Sequence, residues 1–194
     1  MRIKTLSVAL FVGLGLVACG DADAPPADAP ADAPVAEEPT AAPGELHTPD
    51  WFVVDHDAGT VQIDLIAGTS SANNYWNFHG LHGGAGEIVV PEGYEVSLTL
   101  INQDPNMGHS VGVGEIQSPW PNSFSQVTPL FEGAVTSNPT SMTESTLPGE
   151  QETITFVADQ SGEFALICYV VGHAASGMWM PFTVSAEGEA GFRS

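Results

Sequence analysis

Short alternating or β-branched runs, each closed off by turn-forming residues, constrain this chain more than any other feature. They fall at 60–67, 86–90, 94–101, 109–113, 152–158, 163–169 and 179–184. Pro91-Glu92-Gly93, Pro105-Asn106, Pro148-Gly149 and Gln160-Ser161-Gly162 punctuate them with the residues that tight turns require. No segment among them shows the 3.6-residue apolar repeat of an amphipathic helix. The expected fold is therefore all-β, a sandwich of two sheets over residues 51–188, which is the size of one domain. Residues 115–150 are rich in Pro, Ser, Thr and Asn and have little periodicity. They predict a long excursion over the surface, with room for a short helix.

Ahead of the domain the sequence has a different character. Arg2 and Lys4 precede an apolar run at 6–16, followed by Leu16-Val17-Ala18-Cys19. The run is too short to span a bilayer and reads as an export signal occupying 1–18. Its order resembles the lipobox of bacterial lipoproteins, which implies acylation at Cys19 and attachment to a membrane through acyl chains alone. Either kind of cleaved signal places the protein outside the cytoplasm, here lipid-anchored to the cell envelope. Residues 19–50 are Ala, Pro and acid, with Ala-Asp-Ala-Pro beginning at Ala22, Ala27 and Ala31. Such a stretch lacks the large apolar side chains that offset chain entropy and predicts a disordered acidic tether, reaching on the order of 90 Å when extended. Residues 189–194 are expected to form a C-terminal tail.

The charge balance narrows the partners. The chain has 24 acidic residues against 3 basic ones, a net charge of -21, and Arg2 and Lys4 lie in the segment that is removed. Arg193 alone then opposes the acids, so nucleic acid and anionic lipid head groups are repelled and a basic protein is attracted. Adaptation to high salt calls for the same surface.

With Cys19 acylated, Cys168 has no partner for a disulfide, and a lone thiol in an oxidising compartment needs a use. Cys168, His173 and Met178 stand at the spacing Cys-x4-His-x4-Met between two apolar runs. Alternation places Phe164, Leu166 and Cys168 on the core side of their strand. His109, at the start of another expected strand, completes a set of two imidazoles, a thiolate and a thioether. That is the donor set of a trigonal copper site for electron transfer, with Met178 as the weak axial ligand. Met180 and Met107 are rival axial candidates, the first a step further into the core and the second in a turn. A capped site leaves no open position, so neither an enzyme nor a small-molecule substrate is expected. His79 and His82, in Phe-His-Gly-Leu-His-Gly-Gly, suit a glycine-rich turn better than a second metal site, and His47 and His56 receive no role.

The segment from Cys168 to Met178 resembles the copper loop of cupredoxins, and its long form is similar to those of sulfocyanin, rusticyanin and auracyanin. The sulfocyanin family fits best, through Asn77-Phe-His-Gly, Ile88-Val-Val-Pro-Glu-Gly-Tyr, Gly108-His-Ser-Val and Gly172-His-Ala-Ala-Ser-Gly-Met-Trp. The resemblance implies a cupredoxin-type Greek-key β-sandwich holding one copper ion, Cu(II)/Cu(I), that carries a single electron in a respiratory chain. Ser110 is expected to hydrogen-bond across to the ligand loop. His173 is expected to show its ring edge at the surface, ringed by Val170, Val171, Ala174, Ala175 and Trp179 as a docking patch. The expected partners are a c-type cytochrome or a terminal oxidase subunit, basic in charge. A copper-delivery protein of the cell envelope is the alternative.

Overall fold

In β2, Thr60–Ala67, the residues Val61, Ile63, Leu65 and Ala67 are buried while Gln62 and Asp64 face solvent. In β4, Glu95–Asn102, the buried set is Val96, Leu98 and Leu100. Two strands with this period pair side by side and turn one continuous apolar face inward. The computed structural model describes residues 44–194, which form nine strands. The others are β1 Phe52–Asp55, β3 Glu87–Pro91, β5 Gly112–Gly114, β6 Gln151–Val157, β7 Gly162–Ile167, β8 Trp179–Ser185 and β9 Gly191–Arg193. Residues 1–18, Cys19 and most of the expected tether lie outside the described residues.

One sheet has the order β1-β2-β4-β6 and the other β5-β7-β8-β3-β9, so the fold is an all-β sandwich as the sequence predicts. From β2 to β7 the chain alternates between the layers, which makes β2–β4 and β3–β8 parallel pairs while their neighbours run antiparallel. The inner faces meet in a core that includes Ile63, Leu98, Leu100, Ile88, Leu166 and Phe182. Full burial of one such side chain stabilises by about 1.5–3 kcal/mol.

β7 is buried on both faces. Phe164, Leu166 and Cys168 enter the main core, while Ala165, Ile167 and Tyr169 form a second cluster with Trp120, Phe124, Val127 and Val135. Part of the excursion at 115–150 is thus an outer layer over the second sheet, while its Phe131 and Ala134 enter the main core. It contains no helix, because side chains and isolated bridges such as His109 to Thr146 and Gly112 to Val135 satisfy its backbone piecemeal.

Two strands fall outside the runs predicted from sequence. β1 is a four-residue edge strand, and β9 occupies the segment expected to be a tail. Phe192 packs into the core there, and Arg193 Nε donates to Glu87 Oε2 at 2.6 Å. His47, expected within the tether, exchanges backbone hydrogen bonds with Phe192 at 2.9 and 2.8 Å. A single Phe among small and acidic residues carries no periodicity, so only the sheet edge beside it reveals the strand.

Candidate metal centre

The centre is assembled from two loops at one end of the sandwich. Cys168 follows β7 directly, and its amide donates to the Met178 carbonyl at 3.1 Å. The amide of Met178 returns to the His173 carbonyl at 2.9 Å, and the amide of His173 to that of Val170 at 3.0 Å. These bonds draw residues 168–178 into a closed loop that ends where β8 begins. His109 arrives on the segment between β4 and β5, fixed by a reciprocal backbone pair with Thr146 at 3.0 Å.

The loops place Cys168 Sγ 3.4 Å from His173 Nδ1 and 3.9 Å from His109 Nδ1, with the two Nδ1 atoms 3.2 Å apart. All three side chains have no exposed surface, and neither does Met178. Met178 ends the ligand loop, whereas Met180 is paired with Leu166 inside the sheet core. Met107 sits in the turn before His109, with its amide on Asp104.

Burial sets the protonation of the donors. It pushes the Cys168 thiol up to about 11, against the opposing bonds from the Ser110 and Val170 backbone. Burial, with His109 adding a smaller repulsion, lowers His173 to about 3. Burial also lowers His109, outweighing the opposing bond to Asp104. Both rings are therefore neutral at physiological pH, and the thiol would lose its proton to solvent only as a metal ion took its place on the sulfur. Two imidazole nitrogens and one sulfur converge in a dry site, and with the thioether of Met178, buried at the end of the same loop, this donor set fits one copper ion.

Ser110 touches the centre twice. Its amide points at Cys168 Sγ from 3.5 Å, and its Oγ, 3.8 Å from that sulfur, accepts the Tyr169 amide at 2.9 Å.

The surface around His173 differs from the expected docking patch. Val170 and Ala174 are buried along with His173, while Val171 and Ala175 are exposed and Trp179 is half-buried. His173 is covered by Trp76, whose indole stacks on its ring with centroids 4.1 Å apart and 19° between planes, while Ala174 packs in the second cluster. His173 Nε2 has no hydrogen-bond partner among the described residues. Asn73, Asn74 and Tyr75 all have positive φ and deliver Trp76 to this position. Buried Asn77 ties that turn down through the carbonyls of Ser70 and Ala72 and the amide of Gly80. Nearby, His79 Nε2 hydrogen-bonds the Asp64 carbonyl and its ring stacks on Trp51, while His82 lies in an exposed glycine-rich turn, so neither forms a second metal cluster among the described residues.

Sequence reasoning missed two residues at the centre, Trp76 and Asp104. Trp76 immediately precedes the Asn77-Phe-His-Gly motif. Asp104 precedes a proline five residues before His109, a position that favours a side-chain-capped turn. Its Oδ2 accepts the Nε2–H of His109 at 2.9 Å.

Residues 51–192 match the Sulfocyanin (SoxE) domain family. The chain is 30% identical to the sulfocyanin of Sulfolobus acidocaldarius over 130 residues, 65% of this chain and 64% of that protein's length. Among solved structures it is similar to dithionite-reduced auracyanin from Roseiflexus castenholzii, 22% identical over 63% of this chain and 94% of that one, with a TM-score of 0.43. It is also similar to rusticyanin from Thiobacillus ferrooxidans, 20% identical over 70% of this chain and 87% of that one, with a TM-score of 0.43. With the family matched across the sandwich and His109, Cys168 and His173 gathered at its end, the chain belongs to the sulfocyanin family of blue copper proteins.

Proposed function

We propose that the protein shuttles one electron at a time between extracytoplasmic redox proteins, held to the cell envelope by acyl chains on Cys19. The observation that carries this reading is the convergence of Cys168 Sγ, His109 Nδ1 and His173 Nδ1 in a site without exposed surface. A bound copper ion supplies a reversible one-electron couple there. The protein residues hold the donors rigid, exclude water and leave no coordination position open to a substrate.

Trp76 extends the reading to the route of transfer. Because it covers His173, the electron enters or leaves through the stacked indole rather than through a bare imidazole edge. Trp76, Trp179, Val171 and Ala175 make the docking face. A small apolar contact suits a brief complex, and the acidic remainder of the molecule steers a basic partner such as a c-type cytochrome or an oxidase subunit.

Stopped-flow mixing of the oxidised, copper-loaded chain with a reduced, basic c-type cytochrome tests both points. The second-order rate is expected to fall steeply with ionic strength, and Trp76→Ala to slow transfer at every salt concentration. A rate independent of salt removes the basic partner, and an unchanged rate in the variant removes the route.

A further inference from the structure

Asp104 is the one acid among the described residues that is buried, at 2% exposure. A carboxylate withdrawn from water needs hydrogen bonds and an opposing charge. The hydrogen bonds are present. Oδ1 accepts the amides of Asn106 at 2.8 Å and Met107 at 3.2 Å, and Oδ2 accepts His109 Nε2–H at 2.9 Å. No lysine or arginine lies beside it among the described residues, and Arg193 is engaged with Glu87. The opposing charge within reach would be a metal ion held by Nδ1 on the far side of the His109 ring.

The surroundings hold Asp104 in place from both sides. Its amide donates to Asn102 Oδ1 at 2.9 Å, while Asn102 Nδ2 donates to the carbonyls of Met107 and Thr146, each at 2.8 Å. Opposite, Gly68 at φ +73° approaches so closely that a Cβ there would lie 2.6 Å from the Asp104 nitrogen. A position built this tightly fixes the carboxylate against the imidazole.

We propose that Asp104 is a positioning residue of the centre, keeping the His109 proton on Nε2 so that Nδ1 is the ligand atom, and lowering the reduction potential with its buried charge. This rests on the blue-copper reading above. Oxidised copper carries one more positive charge than reduced copper, and an anion one ring away in a water-free site favours the oxidised form.

The test is a redox titration of the copper-loaded full-length chain and its Asp104→Asn variant, which keeps the side chain's size and removes its charge. The thiolate-to-copper band is expected to persist in the variant. The reduced-to-oxidised ratio at a fixed ambient potential should rise about tenfold or more, a tenfold change being about 59 mV for one electron. An intact band with an unchanged or lowered potential overturns the inference and leaves the blue-copper reading standing. A wild-type chain without that band overturns both. Ring-nitrogen NMR of the metal-free wild type requires no variant to fold. A proton on His109 Nε2 supports the assignment, and a proton on Nδ1 overturns it.

Discussion

Met178 and Met180 stand two residues apart and both are buried, so their surroundings rather than their spacing distinguish them. Met178 closes the loop through its backbone bonds to Cys168 and His173, whereas Met180 fills the core opposite Leu166. Replacing a soft thioether with an amide oxygen favours Cu(II), so Met178→Gln is expected to lower the reduction potential while the thiolate band persists. Met180→Leu, a volume-conserving core change, should cost less than about 1.5 kcal/mol and leave the potential unchanged. Voltammetry of both variants checks the assignment, and the reverse pattern would make Met180 the axial ligand. The convergence of His109, Cys168 and His173 was legible in the sequence because each donor has a distinctive chemistry and the spacing confines two of them to one loop. Asp104 and Trp76 were not, since a turn aspartate and a partly exposed tryptophan acquire their roles only when separate loops meet.

At the scale of elements, alternation located the central strands to within a few residues, and what escaped it was the rim. β1 and β9 are short edge strands whose pairing partners, not their own composition, define them. β9 nonetheless contributes to stability. Phe192→Ala should destabilise the domain by about 3–5 kcal/mol, measurable by denaturant unfolding, and a loss under about 1 kcal/mol would show that the strand merely decorates the sheet. The same strand makes a pH-dependent link. Burial alone would raise the Glu87 pKa, but bonds from Arg193 and Thr183 outweigh it and hold the carboxyl below its ordinary 4.5. The native carboxyl thus binds its proton less readily than the unfolded one. Its contribution is present above pH 4.5 and fades as pH falls through the range below. Glu87→Gln should flatten that part of the stability curve, and an identical curve would deny the pair any role. The segment 115–150 was legible only as an excursion, because Trp120, Phe124 and Val127 are scattered among turn residues and find their common surface only on β7, the loop after it and Trp179 of β8.

The whole molecule joins a dry donor set to an acidic chain of net charge -21. Metal and fold are thermodynamically linked, since His109, Cys168 and His173 come together only in the native state. Copper loading should therefore raise the unfolding temperature, equivalent to about 2.7 kcal/mol when free metal stands at 100 times its dissociation constant. Equal melting of the loaded and stripped chains would mean that the donors bind metal as well unfolded as folded. Whether Cys168 binds copper as a thiolate is decided by the visible and electron-paramagnetic-resonance spectra of the Cu(II)-loaded chain beside its Cys168→Ala variant. Thiolate ligation gives an intense sulfur-to-copper band with narrow copper hyperfine splitting, bleached by reductant and absent from the variant. A pale Cu(II) spectrum that survives the substitution would contradict it.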